Sequence, residues 1–265
     1  MSDWVASAVA ERGLGHLAND LPCQDVTLAD EAGDVSAITL ADGAGSAKLS
    51  DIGALVVAES ALAILLDQFD DLYYGEEEEV KSFTIDTILT NLSIRANQEN
   101  ADLRDLSSTL LCVAVKGERY VAMHVGDGVI GVMQGDELKV LSYPSNGEYA
   151  NETVFVNSQE AQYDMRLMRG RAAAISGFVL MSDGSEQSLY DKTKREIAPA
   201  IVKLFAARLD MPDEEFESEL RDLLQTQIIQ RTADDCSIAL LTRDRKRLRR
   251  FHKSLSQASK NRSDR

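Results

Sequence analysis

The chain has 265 residues, with 28 Lys and Arg against 44 Asp and Glu, for a formal net charge of −16. This length can bury the core of one large domain, and no linker rich in Pro, Ser or Gly divides it. The charge argues against a general nucleic-acid binder and suits an acidic enzyme whose carboxylates neutralise bound metal, while Cys23, Cys112 and Cys236 have no zinc or redox spacing and read as reduced core residues.

In chain order, apolar runs predict strands at residues 4–10, 25–28 and 37–41, with a loop through His16 and Pro22 between the first two. A helix is expected over residues 50–69, with Ile52, Leu55, Val56, Leu62, Leu65, Leu66 and Phe69 on its apolar face. An acidic turn at residues 75–79 leads to a second helix over 82–100 carrying Ile85, Ile88, Leu89 and Leu92. Strands at 109–115, 119–125, 129–133 and 138–141 follow with short turns between them and read as an antiparallel meander. A strand at 153–156, another at 178–181, helices near 194–209 and 213–229 and a last strand at 236–241 complete the chain. Strands cluster early, centrally and late with helices in pairs between them, which predicts an α+β fold of antiparallel sheets covered by helices. The N-terminus lacks a basic region followed by an apolar one, and no apolar run approaches the ~20 residues needed to span a bilayer, so a cytoplasmic location away from membranes is expected.

Three Asp-Gly pairs close apolar runs: Asp42-Gly43, Asp127-Gly128 and Asp183-Gly184. A fourth acidic pair, Asp234-Asp235, opens the last strand. Asp-Gly is a strong hairpin signal, because both residues tolerate the positive φ of a type I′ turn. That explanation suits Asp127-Gly128, after which Val129, Ile130, Val132 and Met133 resume at once. It does not suit Asp42-Gly43 or Asp183-Gly184, which lead into helical or polar sequence. Carboxylates at several strand ends can instead meet at one rim of a sheet and hold hard cations such as Mg2+ or Mn2+ through oxygen.

Taken in order, Cys23-Gln24-Asp25, Ala41-Asp42-Gly43-Ala44-Gly45, Val125-Gly126-Asp127, Met181-Ser182-Asp183-Gly184 and Ala233-Asp234-Asp235-Cys236-Ser237 resemble the motifs of the metal-dependent PP2C-type (PPM) protein serine/threonine phosphatases. The resemblance covers nearly the whole chain, and the Gly-His and Pro-Cys-Gln-Asp beginning is similar to a bacterial branch of that family. It implies a four-layer α/β/β/α sandwich of two antiparallel sheets flanked by helices. It also implies hydrolysis of phosphoserine and phosphothreonine in proteins, in the setting of a kinase pathway, with two Mn2+ or Mg2+ ions and a possible third.

Carried onto this sequence, the resemblance makes Asp42 the carboxylate bridging two metals, with the Gly43 carbonyl on one of them. Asp183 and Asp234 complete the other site, Asp127 with Asp183 reaches a third position, and Asp25 acts through metal-bound water. Two cations about 3.5–4 Å apart lower the pKa of a shared water and stabilise charge during in-line displacement at phosphorus. No protein nucleophile is then required. Asp235 falls at an Asn position of the family. Where many members place a phosphate-holding Arg, this chain has Arg12-Gly13-Leu14-Gly15-His16, which makes His16 the phosphate contact and Arg12 its possible substitute. Ala44 stands where animal members have a His after Asp-Gly, and Ser46, Gly128 and Ser237 also depart from common motif residues. Leaving-group protonation then falls to water.

His124, inside a strand, reads as packing. The expected division is a phosphatase domain over residues 1–242 and a basic tail over 243–265, the tail read as solvated chain. Two other classes compete: a catalytically weak or inactive regulatory module of the same fold, and a Ca2+-binding domain, against which the absence of EF-hand spacing counts. Whether residues 143–171 form a flap over the site is left open by the sequence.

Overall fold

The structure is a computed structural model that describes residues 2–145 and 153–244. Strand β1 (Trp4–Glu11) leads through a short helix α1 (Leu14–Ala18) to β2 (Asp25–Ala32) and β3 (Val35–Asp42). Helices α2 (Ser50–Asp67), α3 (Phe69–Tyr74) and α4 (Glu77–Glu99) follow, then β4 (Leu110–Lys116), β5 (Arg119–Val125), β6 (Val129–Gln134) and β7 (Glu137–Ser142). A single turn of helix, α5 (Ala161–Asp164), precedes β8 (Arg166–Arg171), β9 (Ile175–Met181) and α6 (Asp183–Leu189). A two-residue ladder of β10 (Tyr190–Asp191) and β11 (Glu196–Ile197), helices α7 (Ala200–Asp210) and α8 (Asp213–Leu223), and β12 (Cys236–Arg243) complete the fold.

One sheet has the order β1-β12-β9-β6-β7 and the other β2-β3-β4-β5-β8, and every neighbouring pair is antiparallel. Helices α2 and α4 cover the outer face of the second sheet, and α7 and α8 cover the first. The central strands are buried on both faces, which is why they read as continuous apolar runs. Ile38, Leu40, Leu111, Val113, Phe178, Leu180, Ala239 and Leu241 point between the sheets. Their alternate neighbours Ala37, Ala41, Cys112 and Ala114 face α2 and α4, while Val179, Met181, Ile238 and Leu240 face α7 and α8. The period-2 alternation therefore feeds three apolar layers, and each fully buried Leu or Ile contributes about 1.5–3 kcal/mol. The sandwich expected from the sequence is the fold observed.

Several local expectations need correction. The segment between β5 and β6 is not a hairpin: β5 pairs with β4 and β8, β6 with β7 and β9, so the chain crosses from one sheet to the other at Gly126-Asp127-Gly128. A type I′ turn needs positive φ at Asp127 and Gly128, and neither has it; the positive φ, +110°, belongs to Gly126. A Cβ there would also stand 2.5 Å from Thr109 Cγ2. The hairpins turn instead at Gly33, Gly117 and Gly135, all of positive φ. The acidic run is not a turn, because Glu77, Glu78 and Glu79 form the first turn of α4, where carboxylates are favoured by the helix dipole.

The buried face of α2 is made by Gly53, Ala54, Val57, Ala58, Ala61, Ile64 and Leu65, while Leu55 is exposed. Small residues bring the helix close, and a Cβ on Gly53 would lie 2.2 Å from the Leu106 carbonyl oxygen. His16 lies in α1 rather than a loop. No strand forms at residues 153–156; Val156 is buried under the helices and its N–H donates to the Ser108 carbonyl at 2.9 Å. Strand β8, with the sequence Arg-Leu-Met-Arg-Gly-Arg, carries no apolar run and was not expected. Arg243 belongs to the sandwich: it extends β12, and its Nε pairs with Asp3 Oδ2 at 2.7 Å. The basic run from residue 245 onward and residues 146–152 of the 143–171 stretch lie outside the described residues. Among the described residues no helix is long and apolar enough to cross a membrane.

Candidate metal centre

Five acidic residues sit at chain ends of the two sheets that face the same rim. Asp25 opens β2 and lies directly opposite Asp42, the last residue of β3. The backbone at Asp42 is held on both sides: its N–H donates to Thr109 Oγ1 at 3.0 Å, and its carbonyl accepts from the Thr109 N–H at 2.9 Å and from Ser108 Oγ at 3.0 Å. The Gly43 N–H donates to the Gln24 carbonyl at 3.0 Å. These bonds end β3 without the positive φ of a turn and fix the Asp42 backbone where the residue lines the cavity.

Asp183 is the first residue of α6, directly after β9. Ser182 ties β9 to β12, its Oγ accepting from the Ser237 N–H at 3.1 Å. Gly184 permits the close approach: a Cβ there would stand 2.0 Å from the Asp235 carbonyl oxygen. Asp183 and Asp234 are thereby neighbours although they are far apart in the chain. Asp127, on the sheet-to-sheet crossing, accepts from Thr153 Oγ1 at 2.6 Å. Asp42, Gly43, Asp127, Asp183 and Asp234 line one cavity of about 150 Å3.

Burial and mutual repulsion hold Asp25, Asp42, Asp183 and Asp234 in their protonated form to higher pH than an ordinary carboxyl. Burial raises Asp42 well above the ordinary carboxylate range, and Asp25, Asp183, Asp234 and Asp127 raise it further. Burial pushes Asp25 up to about 7, against the lowering effect of the Ser237 and Ser182 hydroxyls. Asp183 rises to about 6 through burial and the charges of Asp234 and Asp127, and Asp234 is raised chiefly by burial. Asp25 Oδ2 and Asp183 Oδ1 are buried without a hydrogen-bond partner. Among the described residues no three acidic, His or Cys side chains close on a single point. Uncompensated negative charge, orphaned oxygens and an all-oxygen donor set around one small cavity fit hard divalent cations.

Asp235 belongs to a different arrangement. It is 2% exposed, and its Oδ1 accepts from the Gly13 N–H at 2.7 Å while Oδ2 accepts from the Gln24 N–H at 2.5 Å and contacts His16 Nδ1 at 2.8 Å. One carboxylate thus joins β12 to the β1–α1 junction and the start of β2. His16 is brought beside Asp234 by this pair. Arg12 Nη1 donates to the Leu21 carbonyl at 2.9 Å. His124 is fully buried, its Nδ1 bonded to Ser142 Oγ at 2.9 Å and to Arg166 Nη2 at 3.2 Å, and burial with the Arg166 charge holds its pKa well below the usual value. Thr109 and Thr153, which orient Asp42 and Asp127, were not singled out in the sequence: an isolated Thr carries no motif.

The model of the family described as Protein phosphatase 2C matches residues 12–225. A relative named Serine/threonine-protein phosphatase 3 from Escherichia coli strain K12 is 26% identical over 240 residues, which are 86% of this chain and 94% of that protein. The crystal structure of the serine/threonine phosphatase Stp1 from Staphylococcus aureus superimposes with a TM-score of 0.64 at 17% identity, over 89% of this chain and 94% of that one. The catalytic domain of the serine threonine protein phosphatase PstP, in complex with 2 manganese ions, gives a TM-score of 0.58 at 15% identity, over 90% and 97% of the two chains. At these identities the solved structures speak for the fold alone.

Proposed function

Starting from a chain that belongs to the protein phosphatase 2C family, we propose that it is a protein serine/threonine phosphatase that hydrolyses phosphoserine and phosphothreonine with Mn2+ or Mg2+. The observation that carries the proposal is the delivery of Asp42, Asp127, Asp183 and Asp234 by four separate chain segments to one small cavity, where burial and repulsion raise three of them above the ordinary carboxylate range. Asp42 and the Gly43 carbonyl, with Asp183 and Asp234, would hold two cations, and Asp127 with Asp183 a third. Bound there, the ions supply Lewis acidity, which activates water and neutralises charge on the phosphoryl oxygens.

The chain's own residues do the rest. Thr109 and Ser108 fix the backbone of Asp42, so that its carboxylate does not have to be ordered when substrate arrives. Asp25 stands opposite Asp42 and carries a proton at neutral pH or gives it up according to the charge beside it. His16 uses Nδ1 on Asp235, and as an imidazolium it would present its Nε2–H to a phosphate oxygen. Arg12 is the second cation of that segment. Ala44 supplies no acid for the leaving group, and water takes that part. We take the sandwich as one phosphatase domain ending with β12, followed by a basic tail, in a cytoplasmic kinase pathway.

The test is release of phosphate from p-nitrophenyl phosphate and from a phosphothreonine peptide, with Mn2+, with chelator, and in Asp42→Asn. Metal-dependent turnover lost in the variant is the expected result. Well-folded protein that releases phosphate from neither substrate would instead support an inactive regulatory module of the same fold.

A further inference from the structure

A second cavity, of about 270 Å3, shares Asp127 and Asp183 with the carboxylate site and continues from it toward the β10–β11 ladder. Its far wall carries Tyr143, Glu186, Lys192 and Arg195. The charges there do not cancel. Lys192 Nζ pairs with Glu186 Oε1 at 2.5 Å, so the buried Glu186 and the exposed Lys192 neutralise each other. Asp127 and Asp183 belong to the proposed cation cluster. Arg195 remains: among the described residues it forms no ion pair, and its guanidinium instead lies 3.9 Å from the centre of the Tyr143 ring.

Arg195 is also held in an unusual way. Its φ is +59°, a backbone conformation that L residues other than Gly, Asn and Asp seldom adopt. The turn that imposes it is closed by the Arg195 N–H on the Asp191 carbonyl at 2.7 Å, and Asp191 Oδ1 accepts from the Thr193 and Lys194 N–H groups at 2.9 and 3.0 Å. Stacking on an aromatic face orders the guanidinium while leaving its in-plane N–H donors uncommitted, the geometry that suits bidentate binding of a carboxylate or phosphate.

We propose that this cavity is a specificity subsite in which Arg195, stacked on Tyr143, receives an anionic group of the substrate close in sequence to the phosphorylated residue. The inference rests on a phosphoprotein occupying the carboxylate site. The anion is an acidic side chain or a second phosphate, both of which offer the planar or tripod oxygens that a guanidinium fork recognises. On a chain of net charge −16, the uncompensated Arg195 beside the site selects for such a group against a generally repulsive field.

The experiment is fluorescence anisotropy in Mn2+ on the full chain, with labelled peptides that carry a non-hydrolysable phosphonate in place of phosphoserine. The flanking residues are Glu, Ala, Lys or a second phosphonate. Wild type is expected to bind the Glu-flanked or the doubly phosphonated peptide about tenfold more tightly than the Ala-flanked one, and the stronger of the two identifies the anion. Arg195→Ala brings the preferred peptide down to the affinity of the Ala-flanked one, Arg195→Lys restores part of the difference, and Arg195→Glu shifts preference to the Lys-flanked peptide. Equal binding of all peptides by wild type overturns the proposal. So does an equal loss on every peptide in Arg195→Ala, which would put Arg195 on the scissile phosphate. So too does failure to bind any peptide in protein that hydrolyses p-nitrophenyl phosphate. Selective binding without turnover leaves the subsite standing and counts against the phosphatase.

Discussion

Asp234 and Asp235 are consecutive residues leading into β12, yet one lines a cavity of repelling carboxylates and the other is buried among donors. Asp235 accepts from two backbone N–H groups and pairs with an imidazole, so its charge is fully answered and it acts as a strut between three segments. The Asp234 carboxylate accepts one hydrogen bond among the described residues, from the Asp235 N–H, and shares its cavity with Asp42, Asp127 and Asp183. Burial is common to both regions. What separates a structural carboxylate from a candidate ligand is whether the protein itself supplies the positive end of the interaction.

The largest effect that sharpens this contrast is expected in Asp42→Asn. If Asp42 holds the proposed cations, its loss removes several kcal/mol of transition-state stabilisation, so metal-dependent phosphate release should fall on the order of 10³-fold. In chelator the same variant should be at least as stable as wild type to urea, because Asn is neutral in the buried cavity without having to take up a proton. Asp235→Ala should do the opposite in chelator. It leaves the Gly13 and Gln24 N–H groups and His16 without their acceptor and should cost about 2–4 kcal/mol in the same urea titration. If Asp235→Ala proves neutral, the strut does not exist.

Protonation offers a third probe. The unfolded chain ionises its Asp side chains near pH 4, roughly the ordinary value, whereas folding raises Asp25 to about 7 and Asp183 to about 6 and also raises Asp42. Between those limits the folded protein holds the extra protons. Stability carried by the cluster is therefore fully present below about pH 4 and is lost as pH rises through 6 and 7. At about 1.4 kcal/mol per pKa unit, the loss should amount to a few kcal/mol. Urea titrations of wild type and Asp25→Asn in chelator, compared from pH 4 to 8, isolate it: the advantage of the variant should grow with pH. Saturating Mg2+ should flatten the difference. The smallest effect is expected for Thr153→Val, which removes one hydrogen bond to Asp127 and should weaken the most loosely held cation a few-fold, by roughly 1 kcal/mol, in a calorimetric metal titration.

The sheets were legible because their central strands are buried on both faces and so appear as uninterrupted apolar runs, and the carboxylates stood out because each closes or opens one. Strand β8 was missed for the converse reason: at the edge of its sheet it carries three Arg residues and no run. Of the apolar face expected for α2, Leu65 is buried and Ile52, Val56, Leu62 and Leu66 pack against the core while Leu55 is exposed; the closest packing is made by Gly53, Ala54, Ala58 and Ala61, which a search for large residues passes over. Asp127-Gly128 was the instructive error. A local hairpin signal and a sheet-to-sheet crossing share the same residues, and only the φ of Gly126 and the separate partners of β5 and β6 tell them apart.

By itself, then, the sequence determined which residue types stand at the ends of which apolar segments, and with them the layered fold and the carboxylate character of the rim, since both follow from local alternation and side-chain identity. Tertiary structure alone decided that β5 and β6 lie in different sheets, that Asp235 rather than Asp234 is saturated with donors, and that Arg195 stacks on Tyr143 beside the carboxylates. Each of these depends on groups separated by tens to hundreds of residues, and contacts at that range leave no periodicity in the chain from which they can be read.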